Sequence, residues 1–586
     1  MKRNRGIIFL AGVLLAGLLT LFPYGSYLDQ ASHQRILYSN IKEYLLHLPG
    51  DPPGLVQEFT DHGVIEISVD EDRDHGMAVY YPAFAVWYID KTSPWAGSHF
   101  WHAYTFLLVF WGMCSLFLLG RELFQDEGLS AFIVLLFFLT PRMFAESHYN
   151  NKDVILLSLT FTLFYWGKRM MKDVSFKNIC MFAFTGALAS NLKIVGIWIF
   201  GALGLYILYY YIAAKRFNGQ ILAKAAGCIL LWAALFILLT PACWPDMGSF
   251  FEYFFFSAVD YNLWHDYVLF NGKMLHRDYT GMPRKYLLVL MLYTIPIGIL
   301  ILSAWGCVAA AVDFIRRKGR CLEDIGYVLF MIIVGGVPLL FATLMATPLY
   351  NGWRHFYFVY ASVIMGAGYG AFRLLKTAQA HGKTVLLKTG GLLYLILLAA
   401  GIAMNFPQEH SFYNLLAGRN VQERFELDYW DLSVKQAYDS VLEHAEGRAV
   451  TVSALNWPTM WGLDENQKVL PKKEQALISI VEEWKDAEYV IINTTYAYMY
   501  TREEYKWVRE NYGLTASFTS YGNTICEVYH KERHGYQCEE KDQESYHIAG
   551  GRSARGAAAS FSGVLHTRCS HERAYIPVTA HAGKGI

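Results

Sequence analysis

Long apolar runs separated by short polar breaks fill the chain as far as residue 405. A helix that crosses a bilayer needs about twenty mostly apolar residues. Eleven stretches approach that requirement, near 6–27, 103–123, 129–145, 153–167, 178–191, 194–213, 225–243, 286–312, 325–346, 356–373 and 386–405. Only the tetrapeptide SNLK, Ser190 to Lys193, parts the fifth from the sixth. Segment 449–530 reads differently. Short β-rich runs (AVTVSAL, AEYVIINTT, TICEVYH) alternate there with polar helical stretches, the pattern of a small α/β domain. After about residue 531 the chain is rich in Gly, Ala, Ser, Arg and His without an apolar period, a composition that cannot fund a packed core. The pattern predicts an α-helical polytopic membrane protein: about 11 transmembrane helices in 1–435, an α/β domain in 436–530 and a disordered tail in 531–586.

Composition supports the membrane reading. Of 586 residues, 54% are hydrophobic and 17% charged, more apolar side chain than one soluble core can bury. Net charge is zero, so no global field argues for nucleic acid as a partner. The positions of the basic residues carry the information instead. If Lys2, Arg3 and Arg5 lie inside, alternate loops carry Lys168, Arg169, Lys172 and Lys177, then Lys215 and Arg216, then Arg316, Arg317, Lys318 and Arg320, then Arg373, Lys376 and Lys383. All the strongly basic short loops then share one side, which predicts a cytoplasmic N-terminus, an odd number of spans and an extracytoplasmic C-terminus. The first apolar run is long and lacks a small-residue cleavage site, so it is expected to remain as a span. No CxxC pair appears among the nine cysteines. Cys526, Cys538 and Cys569 leave room for one disulfide whose pairing spacing does not choose.

On this orientation the outside receives loops at 28–102, 146–152, 244–285 and 347–355 and everything after 405. The first holds SVDEDRDHGMAVYYP, with Asp70, Glu71, Asp72, Asp74 and His75 ahead of Tyr80, Tyr81 and Trp87. Acid beside aromatic suits a sugar site, and a carboxylate crowded by apolar or like-charged neighbours gains basicity. A solvated acidic turn has the same composition. The hairpin TPRMFAESHYNNKD crowds Arg142, Glu146, His148, Asn150, Asn151, Lys152 and Asp153 between two apolar runs, where Asn or Asp also serves as a helix cap. TPLYNGWRHFYFVY places Arg354 and His355 where the chain re-enters lipid, and the Arg fork matches phosphate oxygens. Lys193, His265, Lys273, His276, Arg277 and Arg284 could share that role, or snorkel to the interface. After the last span, Tyr413, Asn414, Asp428, Tyr429 and Trp430 fit either interfacial anchoring or substrate contact. An NTT sequon begins at Asn493.

The acidic first-loop motif, HYNNKD, YNGWRHFYFVY and a trailing DYW, taken in this order over residues 1–435, resemble the polyprenyl-phosphate-dependent C-type glycosyltransferases (GT-C fold). Protein O-mannosyltransferases and aminoarabinose transferases are the nearer relatives. The resemblance implies an integral plasma-membrane enzyme that moves a hexosyl or pentosyl group from a polyprenyl-phosphate sugar to a lipid, glycan or protein acceptor outside the cytoplasm, in one inverting displacement. It implies a first-loop acid as general base, Asp74 before Asp70, although His75 stands where the family has Glu, and Asp153 as the second carboxylate. Arg354, His355, Lys152, Lys193 and Arg277 are then expected at the donor phosphate, and His75, His148, Asn151, Tyr81 and Tyr350 at substrate. No cofactor is certain. Asp74, His148 and Asp153 could hold a divalent metal cation, since oxygen and imidazole ligands suit one. The rival class is a polytopic transporter or lipid flippase, which should carry charges at mid-membrane and paired repeats; Lys193 is the one intramembrane charge of note. A third reading is a non-catalytic assembly protein whose 449–530 domain binds a partner.

Overall fold

Each predicted apolar run folds as helix, and its polar punctuation shapes how that helix starts and stops. The computed structural model describes residues 2–47, 54–259 and 265–531; the expected tail lies outside them, as do Cys538 and Cys569. The helices used below are α1 (Lys2–Leu19), α2 (Gln30–His47), α3 (Pro94–Phe124), α4 (Glu127–Phe138), α5 (Pro141–Tyr149), α6 (Asp153–Lys172), α7 (Phe176–Leu192), α8 (Val195–Ala213), α9 (Gly219–Leu239), α10 (Ile297–Arg316), α11 (Tyr327–Met345), α12 (Phe358–Ala380) and α13 (Thr384–Asn405).

Among the described residues, seven helices are long and apolar enough to cross a membrane, or eight if the bent pair α4 and α5 counts as one span. Eleven were expected. The difference has local causes. α1 ends at Leu19, short of the predicted 27, with Pro23 in the turn that follows. Pro141 starts α5 at 75° to α4, because proline cannot continue the preceding ladder but suits a first helical turn. The run at 286–312 is two helices parted at Pro296, of which α10 still counts as a span; α7, by contrast, is only 17 residues long and is not among the seven. α6 carries Asp153 at its start and Lys168, Arg169 and Lys172 near its end, and most of its residues are buried by protein.

α10 and α12 approach backbone to backbone. Their meeting face is glycine: a Cβ on Gly306 would run into the Gly366 carbonyl and lie 2.6 Å from the Gly370 nitrogen. Small residues of this kind let helices pack closely where lipid supplies no hydrophobic drive.

The C-terminal part is the expected α/β domain. Its five strands are β3 (Val450–Ala454), β4 (Ile478–Ile480), β5 (Tyr489–Asn493), β6 (Gly513–Ser520) and β7 (Asn523–His530), ordered β4-β3-β5-β7-β6. β3 runs parallel to β4 and β5, and β7 antiparallel to β5 and β6. Three of these strands coincide with the β-rich runs; β4 is only three residues long and β6 is half-exposed and polar, so neither stood out. A hairpin of β1 (Tyr267–Phe270) and β2 (Lys273–His276) lies in the 244–285 loop, unforeseen from sequence. The described residues belong to one compact unit, so the sheet sits directly on the helical body. Asn466 fixes part of that junction: its Oδ1 accepts from the Ser26 nitrogen at 3.0 Å, and its Nδ2 donates to the Ser26 carbonyl at 3.2 Å. Cys526 is buried and, among the described residues, a free thiol. Asn493 is fully buried, its amide donating to the Asp428 carbonyl and to Asp431, so the sequon is closed to modification in the folded chain.

The glycine seam generates a prediction. Gly306→Leu should destabilise the detergent-solubilised protein by about 1–3 kcal/mol through overpacking, read as a lower thermal midpoint, whereas Gly201→Leu, with open space at its Cβ, should leave the midpoint unchanged.

Candidate functional site

Asp153 opens α6, and the turn before it is built by Asn150, whose Oδ1 accepts the nitrogens of Lys152 (3.2 Å) and Asp153 (2.9 Å). The cap predicted for this hairpin therefore exists, but Asn150 provides it, leaving Asp153 to face charge. Lys193, at the break between α7 and α8, pairs with Asp153 Oδ1. Arg354 approaches the other oxygen at 3.7 Å and pairs with Asp29 at 2.9 Å. Asn351 and Gly352, at φ 53° and 75°, turn the chain so that Arg354 and His355 enter this cluster just before α12. Lys193 Nζ lies 3.5 Å from His355 Nδ1.

These groups line a cavity of about 460 Å³. Part of the lining is polar, with Asp29, Asp72, Asp74, His75, Lys152 and Arg354 among its residues; another part is apolar, with Pro338, Phe341 and Ala342 of α11. α11 also presents Leu340, Leu344 and Met345 outward, so the apolar part belongs to a lipid-facing helix. Asp74 accepts a hydrogen bond from Ser257 at 2.5 Å and lies 3.9 Å from His75. Asp74 Oδ1, Arg354 Nε and His355 Nε2 are buried without a hydrogen-bond partner among the described residues. Such groups are costly to leave unmet, which marks the cavity as a place for a polar ligand.

The electrostatics follow from crowding. Burial, reinforced by Lys193, pushes the Lys152 ammonium down to about 7, while Asp72, Asp74 and Asp153 oppose that shift. Burial raises the Asp72 carboxyl, but His75, Lys152 and Arg35 together hold it well below the usual carboxylate range. Burial pushes the His33 imidazole down to about 3. The cavity thus holds a switchable cation at Lys152 beside the Arg354 guanidinium.

Of the residues expected from sequence, the fold gathers Asp74, His75, Lys152, Asp153, Lys193, Tyr350, Arg354 and His355 on this cavity. Others are placed elsewhere. Asp70 is buried, paired with Arg35, and accepts the Asp72 nitrogen at 2.9 Å, a fixed role in shaping the loop. His148 stacks between Tyr24 and Phe106 and contacts the Gly17 and Phe144 carbonyls. Asn151 accepts from Tyr27, and Tyr81 donates to Asn40 and to the Leu239 carbonyl. Arg277 stands beside Asp278 at the end of the hairpin, away from the cavity lining. With His148 packed among aromatics, the triad Asp74, His148 and Asp153 is not assembled, and among the described residues no three His, Cys, Asp or Glu side chains are grouped to hold a metal ion. Sequence reading passed over Asp29 and Ser257. Asp29 is a lone acid in SYLDQAS, and its only signal was its place as the first carboxylate after the first apolar run.

No protein-family model matches the sequence, nor does any curated protein. Among solved structures, the chain is similar to the crystal structure of ArnT from Cupriavidus metallidurans bound to undecaprenyl phosphate, at 11% identity and a TM-score of 0.43, over 89% of this chain and 97% of that one. A likeness so distant leaves the functional reading to the geometry of the cavity.

The Lys152 charge should be visible in anion binding. Sulfate, a dianion throughout this range, should bind the purified protein roughly tenfold more weakly at pH 8 than at pH 6, the loss of one contact of about 1.4 kcal/mol. Lys152→Arg should flatten the profile in calorimetric titration.

Proposed function

We propose that the protein is a membrane glycosyltransferase that takes a sugar from a polyprenyl-phosphate donor and passes it to an acceptor on the extracytoplasmic side. The observation that carries this is the mixed lining of the cavity: Lys152, Lys193 and Arg354 together with apolar residues of α11, a helix whose Leu340, Leu344 and Met345 are exposed. An amphiphile with a phosphate head and a hydrocarbon tail matches both kinds of lining, and Arg354 offers a fork for its oxygens.

The base must be a carboxylate that faces the bound sugar and is not fully neutralised. Asp153 is held by two cations. Asp72 is held by Arg35 at 3.2 Å and lies 3.5 Å from His75. Asp29 and Asp74 remain, and Asp29 is assigned the role because it lines both this cavity and an adjoining cleft. A phosphate arriving at Arg354 competes for the guanidinium and loosens its hold on Asp29. Asp29 then takes the proton of the acceptor hydroxyl as that oxygen bonds to the anomeric carbon. The bond from that carbon to the phosphate oxygen breaks, and the electron pair leaves on the phosphate, stabilised by Arg354, Lys193 and Lys152. A single displacement inverts the anomeric centre. Asp74, with its unmet Oδ1, is assigned to a donor sugar hydroxyl.

Asp29→Asn should therefore cut turnover by about 10²–10⁴-fold with donor affinity retained. Asp74→Asn should raise the donor KM by about tenfold, the value of one hydrogen bond to a charged group, with kcat largely kept. Steady-state kinetics with a radiolabelled polyprenyl-phosphate sugar and envelope extract checks both; the reverse pattern would move the base to Asp74.

A further inference from the structure

Beside the cavity lies a smaller cleft of about 180 Å³, between the helical body, the β1–β2 hairpin and the α/β domain. The two share Asp29, Tyr350 and Arg354. Its other lining is unlike the cavity's. Trp457 and Trp461 come from the first turns of the Trp457–Lys468 helix, Tyr500 from the end of the Thr494–Tyr500 helix, and Asp266 and Glu426 bring carboxyl groups.

Exposed aromatics at a membrane surface often only anchor. Two facts argue otherwise here. Trp457 is 60% exposed, yet it borders a concavity lined, among the described residues, by the carboxyl groups of Asp29, Asp266 and Glu426 and by an Arg354 already paired with Asp29, a set of hydrogen-bonding oxygens rather than a bare cationic patch. The buried Trp430, which lines the floor and lies under the Arg354 guanidinium at 4.6 Å, has an indole nitrogen with no hydrogen-bond partner among the described residues. Flat apolar faces, clustered oxygen acceptors and one unmet donor are complementary to a sugar ring, whose axial C–H groups are apolar and whose rim is hydroxyl.

We propose that this cleft is a carbohydrate subsite that seats the accepting sugar ring, with Trp457 and Trp461 as stacking platforms and Asp266 and Glu426 as hydroxyl ligands. Its role as acceptor seat rests on the transferase reading above; its affinity for sugar does not. Its size fits one ring rather than a chain, and its shared border puts a hydroxyl of that ring beside Asp29. Burial pushes the Glu426 carboxyl up to about 8, so at neutral pH it both donates to and accepts from hydroxyls.

Saturation-transfer NMR of the full chain in nanodiscs, with methyl glycosides of glucose, galactose, mannose and N-acetylglucosamine as probes, tests the site. At least one glycoside should receive saturation at its ring C–H protons. Trp457→Ala, at an exposed position that does not threaten folding, should weaken that binding at least fivefold, and Trp457→Phe should restore most of it. In the transfer assay Trp457→Ala should raise the acceptor KM and leave the donor KM unchanged. Saturation that is absent for every glycoside, or unaffected by Trp457→Ala and Trp461→Ala alike, overturns the subsite. Glycoside binding with the expected tryptophan dependence, but without transfer from any polyprenyl-phosphate sugar, keeps the subsite and overturns the transferase.

Discussion

Asp153 is a carboxylate taken almost wholly out of water, and a buried charge is tolerable only when it is paired. Its partners come from distant parts of the chain: Lys193 from the α7–α8 break and Arg354 from the turn before α12, with Arg354 in turn holding Asp29 from the segment after α1. Four separate connecting segments therefore converge because each brings a charge the others need. The break at residues 193–194, which looked like a weak point between two apolar runs, is the geometry that delivers Lys193 to its partner.

A second buried polar network carries the same constraint to the α/β domain. Glu146 accepts from Tyr357 at 2.6 Å and from Tyr429 at 3.0 Å, and Arg142 donates to Tyr429 at 3.2 Å. Asp428 is paired with His410 at 3.0 Å and holds the Ser433 nitrogen at 2.9 Å. The DYW stretch, which fits either anchoring or substrate contact in sequence, is buried against the sheet domain, with Tyr429 and Trp430 bordering the cleft. Burial without full compensation leaves unmet hydrogen-bonding atoms at Arg354, His355, Asp74 and Trp430, residues that line the cavity or the cleft.

Much of this was legible in sequence because it follows from local rules. Apolar runs located the helices, and β-rich alternation located β3, β5 and β7. Charged residues that interrupt or end apolar runs, Lys152, Asp153, Lys193, Arg354 and His355, proved to be the cavity. What escaped had no local signature. Asp29 stands alone in its segment and gains meaning only through Arg354, 325 positions away. His148 looked like a ligand beside Asn150 and Lys152, but helical geometry turns it toward Phe106 and Tyr24. Of the acidic cluster, Asp74, the first expected acid, lines the cavity with Asp72, whereas Asp70, the second, is buried against Arg35.

The most direct test of the central claim is reconstitution of the purified chain in liposomes with a polyprenyl-phosphate sugar labelled on both the sugar and the lipid. The account predicts that the sugar label leaves the lipid for an acceptor with inversion at its anomeric carbon and that the lipid phosphate is released. Movement of the intact, doubly labelled lipid across the bilayer with no cleavage would contradict it and make the protein a flippase.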